Sequence, residues 1–458
     1  MPVIGEGAYG CVHKPALTCK NKNIDDYKDK ISKLLSEKHA KVEMEEFKLL
    51  STHDKKESHY LGKPVHCDLD LNANNMTEIG KCKHSESFMK DIDNNKLLIM
   101  QDGGPDLFNY LQSLVRNNSL AVIKEHSRFI LQDYVQILEA VQFFTSKNIS
   151  HRDIKDANIV YNNGVMKVID FGLMTTFQQV IRESGNNKYW MGDELWWSIS
   201  PICMIFNRRL YDYIHEDNVN TYIQSYRDNI KSNKNFASFI DIIHNTYVDD
   251  KSGFEVFMDG IENLYKNVPH FKYSQFMVKA FPCIDMFNIG FTLIDIVKRL
   301  KGVLSKPFIN EAYRLSFQMM DCNVFEHIKI KEVITSYKAL LKKHKLDIPA
   351  NSIPTKLTKV INKDDNQLFS TIKISTKTQL QQSRTQCNSS HTRNPITNRC
   401  VKKCSPNKSR NSRFKCTVNK TSKKCSSAKE LNPFTNRCNK RCNSGYSRNR
   451  TFKCMKKS

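Results

Sequence analysis

Two short segments in the middle of the chain carry side chains suited to phosphoryl transfer. That reaction needs a carboxylate that orients the attacking hydroxyl and accepts its proton, and oxygen ligands for the Mg²⁺ that bridges the phosphates. Asp153, within the segment 151–158 (HRDIKDAN), suits the first task. Asn158 and Asp170 suit the second, because both offer oxygen ligands and Asp170 follows the apolar run 165–169, which predicts a strand. The two patterns occur in order, with Asp170 placed 17 residues after Asp153, and this argues strongly against chance.

The segment 5–12 (GEGAYGCV) is rich in glycine. Because they lack side chains, Gly5, Gly7 and Gly10 let backbone N–H groups approach phosphate oxygens closely. The glycines alone are a weak signal, since a dinucleotide-binding fold uses a similar spacing, but in that fold a helix begins at this point. Here the residues after Gly10 predict a continuing strand, and Val12, two residues past the last glycine, is typical of the phosphate loop of a protein kinase.

Together these segments resemble the eukaryotic protein-kinase family, and the resemblance covers residues 1 to about 345. It implies an enzyme that uses ATP and Mg²⁺, in which Asp153 is the catalytic base while Asn158 and Asp170 hold the metal. Lys155 would steady the γ-phosphate, and a lysine two residues after the catalytic aspartate is the serine/threonine form. We therefore expect protein substrates that are phosphorylated on serine or threonine. The residues that the resemblance places at ATP are Ile4, Gly5, Gly7, Gly10, Val12, Lys33, Glu46, Met100, Gln101 and Gly103.

The resemblance also requires a strand lysine on the α- and β-phosphates and a helix glutamate paired with it. In the sequence KISKLL we select Lys33, because apolar residues flank it as a buried strand demands, with Lys30 as the alternative. Glu46 is the expected partner because the apolar residues after it have the spacing usual for this helix. Glu43 and Glu45 stay open, since any of the three glutamates could be a solvated helix charge.

The segment 97–104 (LLIMQDGG) has the composition of a strand that ends in a turn. By its position it resembles the last strand of the small kinase lobe and the hinge, with Met100 as gatekeeper and the backbone of Gln101 to Gly103 facing adenine. Asp285 resembles the buried aspartate that opens the central helix of the large lobe and braces the catalytic loop. An ordinary helix N-cap would have the same local geometry.

Two features of the activation segment bear on activity. Ile202 stands where the family has the glutamate of Ala-Pro-Glu, so a buried ion pair to a later arginine is missing. Replacing both sides of such a pair by apolar groups can be neutral, so this change does not argue for an inactive protein. Thr175, Thr176 and Ser184 are candidate phosphate acceptors, with Arg152 as the group that would pair with a phosphate.

The predicted fold class is α+β, as a two-lobed protein-kinase fold. A small β-rich lobe is expected at 1–102 and a large helical lobe at 103–348. The small lobe carries one predicted helix, at 37–50, and the large lobe a helical insertion at about 205–280, which could shape access to the substrate groove, recruit a partner or be inert. The apolar residues that recur at helical spacing in the small-lobe helix are Ala40, Phe47 and Leu50.

Nearly all of the net charge lies near the C-terminal end. Residues 351–458 hold 26 basic and 3 acidic side chains, a net charge of +23 out of +24 for the whole chain. Like charges repel in a compact state and favour anionic partners, so we expect this tail to bind an acidic protein or nucleic acid. The alternative is a solvated extension that binds nothing in particular. Residues 349–386 are polar and lack periodicity, which predicts a linker.

An internal repeat follows the linker, with cysteines spaced Cys-x12-Cys-x3-Cys-x11-Cys in residues 387–416 and again in 425–454. Each module resembles the two-cysteine adaptor domain fused to kinases of large nucleocytoplasmic DNA viruses, such as iridoviruses and mimiviruses. The resemblance implies a viral protein, found in the virion, the host cytoplasm or both. Four cysteines suit one tetrahedral Zn²⁺ site or two disulfides; zinc has some advantage in a reducing compartment, and free thiols are the third possibility.

The remaining expectations concern location and alternative functions. The first residues lack the basic and apolar regions of a signal peptide, and the most apolar stretch, 281–297, is interrupted by Asp285 and Asp295, so no transmembrane segment is predicted. A soluble, intracellular protein is expected. Two other function classes compete with catalysis: a pseudokinase scaffold, suggested by Ile202 and the uncertain Lys–Glu pair, and a nucleic-acid- or virion-binding protein that acts through its tail.

Overall fold

The computed structural model describes residues 3–6, 10–24, 26–185, 200–215, 219–232 and 236–348, together with eight three-residue strands between 391 and 456. The chain divides into two compact units, Met1–Phe369 and Ser370–Ser458. In the first unit a sheet precedes a series of longer helices, as predicted for the α+β class.

The small lobe is built on a five-stranded antiparallel sheet. Its strands are β1 (Val3–Glu6), β2 (Gly10–His13), β3 (Lys30–Ser36), β4 (Val65–Asp68) and β5 (Asn95–Gln101). They are arranged in the order β1-β2-β3-β5-β4. The central strand β3 is bonded to β2 on one side and to β5 on the other, and Lys33 lies opposite Val12 and Leu98. Because ladder hydrogen bonds hold β3 on both edges, the position of Lys33 is fixed.

A 17-residue helix, α1 (Glu37–His53), follows β3 directly and confirms the predicted helix, with three further residues. Its buried positions recur every three or four residues and so form one stripe. These positions are Ala40, Glu43, Phe47 and Leu50. Two short helices, α2 (Ala73–Ile79) and α3 (Ser85–Lys90), lie between β4 and β5, so the expectation of a single small-lobe helix is wrong. Elements of six or seven residues are too short for a clear helical period in the sequence.

Helices dominate the large lobe. The chain first forms α4 (Leu107–Asn117), α5 (Leu120–Asp133) and α6 (Val135–Ser146). It then forms the short strands β6 (Ile149–Ser150), β7 (Ile159–Asn162), β8 (Val165–Val168) and β9 (Thr175–Thr176), followed by α7 (Phe177–Gly185). β7 pairs with β8 and β6 pairs with β9, so both candidate catalytic segments start or end at a strand.

The region predicted as an insertion, 205–280, contains helices and one hairpin. These elements are α8 (Arg208–His215), α9 (Val219–Ser232), α10 (Ala237–His244), β10 (Tyr247–Val248), β11 (Lys251–Ser252), α11 (Gly253–Asn267) and α12 (Tyr273–Ala280). Phe239 contacts Phe257 in this region and Phe287 in the helix that follows, with ring centroids 5.4 and 6.1 Å apart. The region therefore shares the main hydrophobic core of the lobe and is not a surface elaboration.

The lobe is completed by α13 (Ile284–Leu300), α14 (Lys306–Met320) and α15 (Ile330–Lys343). Almost every residue of α13 is buried, including two aspartates, because other helices surround it. Within the part of the chain that the structure describes, Tyr273–Leu300 is the one helical stretch long and apolar enough to cross a membrane, and 94% of its most apolar window is buried inside the protein. Packing in the core accounts for that apolar composition.

The second unit shows four short hairpins. They pair β12 (His391–Arg393) with β13 (Cys400–Lys402), β14 (Lys408–Arg410) with β15 (Cys416–Val418), β16 (Lys429–Leu431) with β17 (Cys438–Lys440), and β18 (Tyr446–Arg448) with β19 (Cys454–Lys456). Each strand of the first module recurs 38 residues later in the second, so the structural repeat follows the cysteine repeat. Four repeat cysteines begin strands, whereas Cys387, Cys404, Cys425 and Cys442 lie outside the described residues.

Candidate active site

The loop between β6 and β7 is held in place by the first turn of α13. Asp285 accepts hydrogen bonds from Ser150 Oγ at 3.0 Å, from His151 N at 2.8 Å and from Arg152 N at 2.7 Å. Burial raises the pKa of the Asp285 carboxyl, and these three donors oppose that shift. The predicted brace between Asp285 and the candidate catalytic loop is thereby confirmed as a structural contact.

Three of the predicted catalytic side chains meet in that loop. Lys155 Nζ lies 2.7 Å from Asp153 Oδ2, and Asn158 Nδ2 donates to the same oxygen at 2.9 Å and to the Asp153 carbonyl at 2.9 Å. Because the amide nitrogen of Asn158 is used in this way, its Oδ1 faces away from Asp153, as a metal ligand would have to. The arrangement orients the Asp153 carboxylate with two donors on one oxygen.

His151 connects this loop to the segment that carries Asp170. Its Nδ1 accepts from Asp153 N at 3.3 Å, and its Nε2 lies 3.1 Å from the Ile169 carbonyl, to which it donates. The backbone is left-handed at Arg152 (φ 70°) and at Asp170 (φ 63°). Non-glycine residues are held in that region only where surrounding contacts impose it, and such positions cluster at functional sites.

Lys33 joins the small lobe to the Asp170 segment. Its Nζ lies 2.8 Å from Glu43 Oε1 and 3.4 Å from Asp170 Oδ1. Burial alone would lower the pKa of the Lys33 ammonium, but the two carboxylates outweigh it and raise the pKa. Desolvation likewise opposes ionisation of Asp170, yet the charge of Lys33 holds the pKa of that carboxyl below its usual value. Lys33 is thus charged at neutral pH, as phosphate binding requires.

The expected pairing of Lys33 with Glu46 is wrong, because the partner is Glu43. Glu43 lies three residues after Ala40 and four before Phe47, so it shares the buried stripe of α1, whereas Glu46 lies beside that stripe. Glu46 Oε2 is buried without a hydrogen-bond partner among the described residues. Burial, followed by the charge of Glu43, raises the pKa of Glu46 to about 8.

Glu45 and Lys30, the other candidates for the Lys–Glu pair, do not form it. Glu45 is largely exposed and forms a loose ion pair with Lys48 at 3.5 Å, so it does not reach Lys33. Lys30 lies at the end of β3, opposite Gln101, while Lys33 lies next to Asp170. The spacing Ala40, Glu43, Phe47 was the signal that could have identified Glu43 from the sequence alone.

The glycine-rich segment connects the paired strands β1 and β2. Gly5 lies opposite Val12, and Ile4 precedes it on β1. Gly10 packs closely on β3, because a Cβ there would lie 2.6 Å from Leu35 Cδ2 and 3.0 Å from the Leu34 carbonyl oxygen. Gly7 falls outside the described residues.

The predicted hinge lies between the sheet and α4. Met100 pairs with Ile31 on β3, and Gln101 is the last residue of β5. Gly103 lies so close to β7 that a Cβ would come within 2.6 Å of Val160 Cγ2. Asp102 forms a 2.8 Å ion pair with Lys14, the residue after β2, and so links the hinge back to the glycine-rich segment.

Phe171, next to Asp170, was not predicted to have a role of its own. It is buried against Phe47 of α1 and His151 of the loop, with ring centroids 5.6 and 4.8 Å apart. It therefore packs the helix that carries Glu43 onto the segment that carries Asp153.

Two of the three candidate phosphate acceptors in the activation segment are inaccessible in the structure. Thr175 and Ser184 are buried, so neither side chain is available to a phosphate-transferring partner in this conformation. Thr176 is half-buried, and its Oγ1 accepts from Gln179 N at 3.2 Å. Ile202 is fully buried in the main core, as expected for an apolar replacement of a buried charge.

The small lobe contains two disulfides that were not predicted, Cys11–Cys82 and Cys19–Cys67. The sequence feature that could have indicated these bonds is the presence of four cysteines within the first hundred residues. Among the described residues, Cys11, His13 and Cys82 form the one group whose ligand atoms lie within 4.8 Å of one another, as a metal site requires. The two sulfurs are bonded to each other, so they are not free to bind a metal as thiolates. The zinc site expected in the cysteine repeats is a separate matter and stays a prediction.

A β-rich small lobe and a helical large lobe, with Lys33, Asp153, Asn158 and Asp170 brought together between them, define the protein kinase fold. A family model described as the protein kinase domain matches residues 1–198. Residues 1–198 thus match a protein kinase domain, and the first unit has the two-lobed kinase fold.

Several kinases are similar to this chain over part of its length. Eukaryotic translation initiation factor 2-alpha kinase 3 of Rattus norvegicus is 35% identical over 99 residues, 19% of this chain and 9% of that protein. A protein of Acanthamoeba polyphaga mimivirus that bears a serine/threonine-protein kinase name is 25% identical over 148 residues, 30% of this chain and 49% of the relative. Serine/threonine-protein kinase PAK 1 of Mus musculus is 26% identical over 152 residues, 29% of this chain and 28% of that protein. This chain thus spans less than half the length of each of these relatives.

Proposed function

We propose that the protein is an active serine/threonine kinase that transfers the γ-phosphate of ATP to hydroxyl groups of protein substrates. The observation that carries this proposal is the contact of Lys33 with both Glu43 and Asp170, since it ties the small lobe to the predicted metal ligand. Kinase names among the relatives support it, as does Lys155, two residues after Asp153.

The donor set fits Mg²⁺, because Asn158 and Asp170 supply amide and carboxylate oxygens, the hard ligands this ion prefers. When bound, the ion would neutralise charge on the ATP phosphates. Lys33 would bind the α- and β-phosphates, and the backbone at Gly5 and Gly10 would cover them. Asp153, oriented by Asn158, would accept the proton of the substrate hydroxyl, while Lys155 would stabilise the negative charge nearby.

The tail supports a second, separable role. Its charge of +23 favours an anionic partner, either an acidic protein or nucleic acid, that would bring the kinase to its substrates. The cysteine modules resemble adaptor domains of viral kinases, and one partial relative comes from a mimivirus. We also propose that the protein is of viral origin and acts in the host cytoplasm, in the virion or in both.

The test is incubation with labelled ATP, Mg²⁺ and a generic basic protein, followed by phosphoamino-acid analysis. We expect wild type to label serine and threonine, and Asp170→Ala to lose incorporation by at least a hundredfold, on the order expected when a transition-state contact is removed. Asp241→Ala, an exposed aspartate on α10, serves as the matched control. Equal incorporation by wild type and Asp170→Ala would assign the protein to the scaffold class.

A further inference from the structure

The two small-lobe disulfides join the same two parts of the chain. Cys11–Cys82 and Cys19–Cys67 both connect residues 11–19, which begin at the end of the glycine-rich segment, to residues 67–82, which run from β4 towards α3. Their Cα–Cα distances are 6.1 and 5.8 Å, ordinary values for disulfides. Two bonds across one interface form a natural pair for comparison, in which Cys19 is half-buried while Cys11, Cys67 and Cys82 are buried.

Of the two bonds, Cys11–Cys82 is the one that includes a residue of the glycine-rich segment. Cys11 follows Gly10 and lies opposite Glu6 on β1 and Leu34 on β3, the neighbour of Lys33. The carboxylate of Glu6 accepts a hydrogen bond from the backbone N–H of Lys83, next to Cys82. Both strands that border the glycine-rich segment are therefore attached to the turn between α2 and α3, one covalently and one by a hydrogen bond.

The surroundings of this bond suit reversible chemistry. Cys11 and Cys82 are 1% and 4% exposed, but Cys82 lies in a short turn between the exposed residues Lys81 and Lys83. A local opening of that turn is enough to expose its sulfur. His13 Nε2 lies 3.6 Å from Cys82 Sγ and 3.9 Å from Cys11 Sγ, within reach of a thiol proton once the bond is reduced.

We propose that Cys11 and Cys82 form a reversible thiol–disulfide switch that sets how firmly β1 and β2, which carry Gly5 and Gly10, hold the phosphates of ATP. A thiolate of a small dithiol attacks Cys82 Sγ, forms a mixed disulfide and releases the Cys11 thiolate. The second thiol of the reagent then displaces the Cys82 thiolate. The reagent leaves as its own disulfide, oxidised by two electrons, and its two protons reside on the two cysteines.

Pre-organisation sets the direction in which the affinity for ATP changes. This expectation rests on the proposed function, because β1 and β2 must bind ATP. In the oxidised state β2 is fixed to the α2–α3 turn before ATP arrives. After reduction β2 is no longer joined covalently to that turn, so ATP binding must restrict motion that the disulfide had prevented. We expect the Kd for ATP to rise roughly three- to tenfold on reduction.

The full chain, oxidised or reduced with dithiothreitol, is titrated with a fluorescent ATP analogue in the presence of Mg²⁺. ATP is then added to displace the analogue, which gives the Kd for ATP. Hydrogen exchange of residues 3–14 is measured on the same samples, and differential alkylation with mass spectrometry reports the state of each cysteine. We expect reduction to raise both the Kd and the exchange rate in wild type. The double variant Cys11→Ser/Cys82→Ser should show the weaker affinity in both states.

The matched control, Cys19→Ser/Cys67→Ser, removes the other bond between the same segments and should still respond to reductant. The inference is overturned if the Kd of wild type is equal in both states, if Cys11 and Cys82 are recovered as free thiols from oxidised protein, or if the response follows Cys19 and Cys67. If exchange changes while neither state binds the analogue, the tether exists but ATP binding, and with it the proposed function, is refuted.

Discussion

At the scale of single residues, the site depends on which glutamate neutralises Lys33. Glu43 and Glu46 are three residues apart on α1, but only Glu43 lies on the stripe that faces the sheet. A charge-assisted hydrogen bond contributes more than a neutral one, and its loss would release Lys33 from its place beside Asp170. The two glutamates therefore give a direct comparison between a paired and an unpaired carboxylate on one helix.

Glu43→Gln is expected to lower kcat/KM for ATP roughly tenfold to a hundredfold, the factor that corresponds to a lost charged hydrogen bond. Glu46→Gln should change it less than threefold, roughly the error of such comparisons. Steady-state kinetics at pH 7 on both variants makes the comparison. A larger loss in Glu46→Gln than in Glu43→Gln would show that the Lys33–Glu43 pair is not the functional one.

Glu46 should also make stability depend on pH. Its pKa is raised from 4.5 to about 8 in the folded protein, so the folded state favours the protonated form. The stabilisation from this group is complete below pH 4.5 and is lost as the pH rises towards 8, because only the unfolded chain ionises freely in that window. Glu46→Gln should thus have nearly the wild-type Tm at pH 5 and a higher Tm at pH 8. Thermal melts at both values test this, and an equal difference at both would contradict the shifted pKa.

At the scale of secondary-structure elements, the central helix α13 sets the position of the candidate catalytic loop. Its first turn carries Asp285, which accepts hydrogen bonds from Ser150 at the end of β6 and from the first two residues of that loop. The helix itself is fixed by the region 205–280, whose aromatic side chains pack on Phe287 and Phe291. The predicted insertion thereby contributes to the active site through the core, whatever it adds at the surface.

Asp285→Ala should destabilise the protein by about 2–5 kcal/mol, because three buried donors lose their acceptor at once. The residual folded protein should lose kcat more than its affinity for ATP, since the contacts of Lys33 do not involve Asp285. Urea unfolding and steady-state kinetics measure the two effects. Asp241→Ala should stay within about 0.5 kcal/mol of wild type as an exposed control; an Asp285→Ala value in the same range would contradict the bracing role.

At the scale of the whole molecule, nearly all of the net charge lies towards the C-terminal end of the chain. The first 350 residues are nearly neutral, whereas residues 351–458 carry a net charge of +23. Such a distribution has no part in packing a protein core, and in the sequence a strongly cationic segment follows a nearly neutral one.

The full chain should bind a labelled single-stranded oligonucleotide with an affinity that falls steeply between about 50 and 200 mM salt, because phosphate contacts release counterions. A chain ending at residue 348 should bind at least tenfold more weakly, roughly the loss expected when several phosphate contacts are removed. Fluorescence anisotropy measures both, and an uncharged peptide nucleic acid of the same sequence is the control probe. Equal binding by the two chains would place the anion site outside the tail.

The sequence alone determined the fold class, and it predicted most of the side chains of the candidate site. The order and spacing of Asp153, Asn158 and Asp170 encode a local arrangement, because each residue stands at the end of a short strand or in a tight loop. The helical period of α1 and the repeat of the cysteine modules are likewise local patterns, and the structure shows both. Each of these patterns depends on residues that are close together in the sequence.

Tertiary structure decided the pairings between distant residues. Helical spacing places Glu43 on the buried stripe of α1, but the packing of that helix on the sheet is what brings its carboxylate within 2.8 Å of Lys33. The disulfide partners of Cys11 and Cys19 lie 71 and 48 residues away, and no periodicity in the sequence encodes such distances. The burial of Thr175 and Ser184 also depends on surrounding elements. These contacts close long loops, so they follow from the arrangement of the elements and not from any one of them.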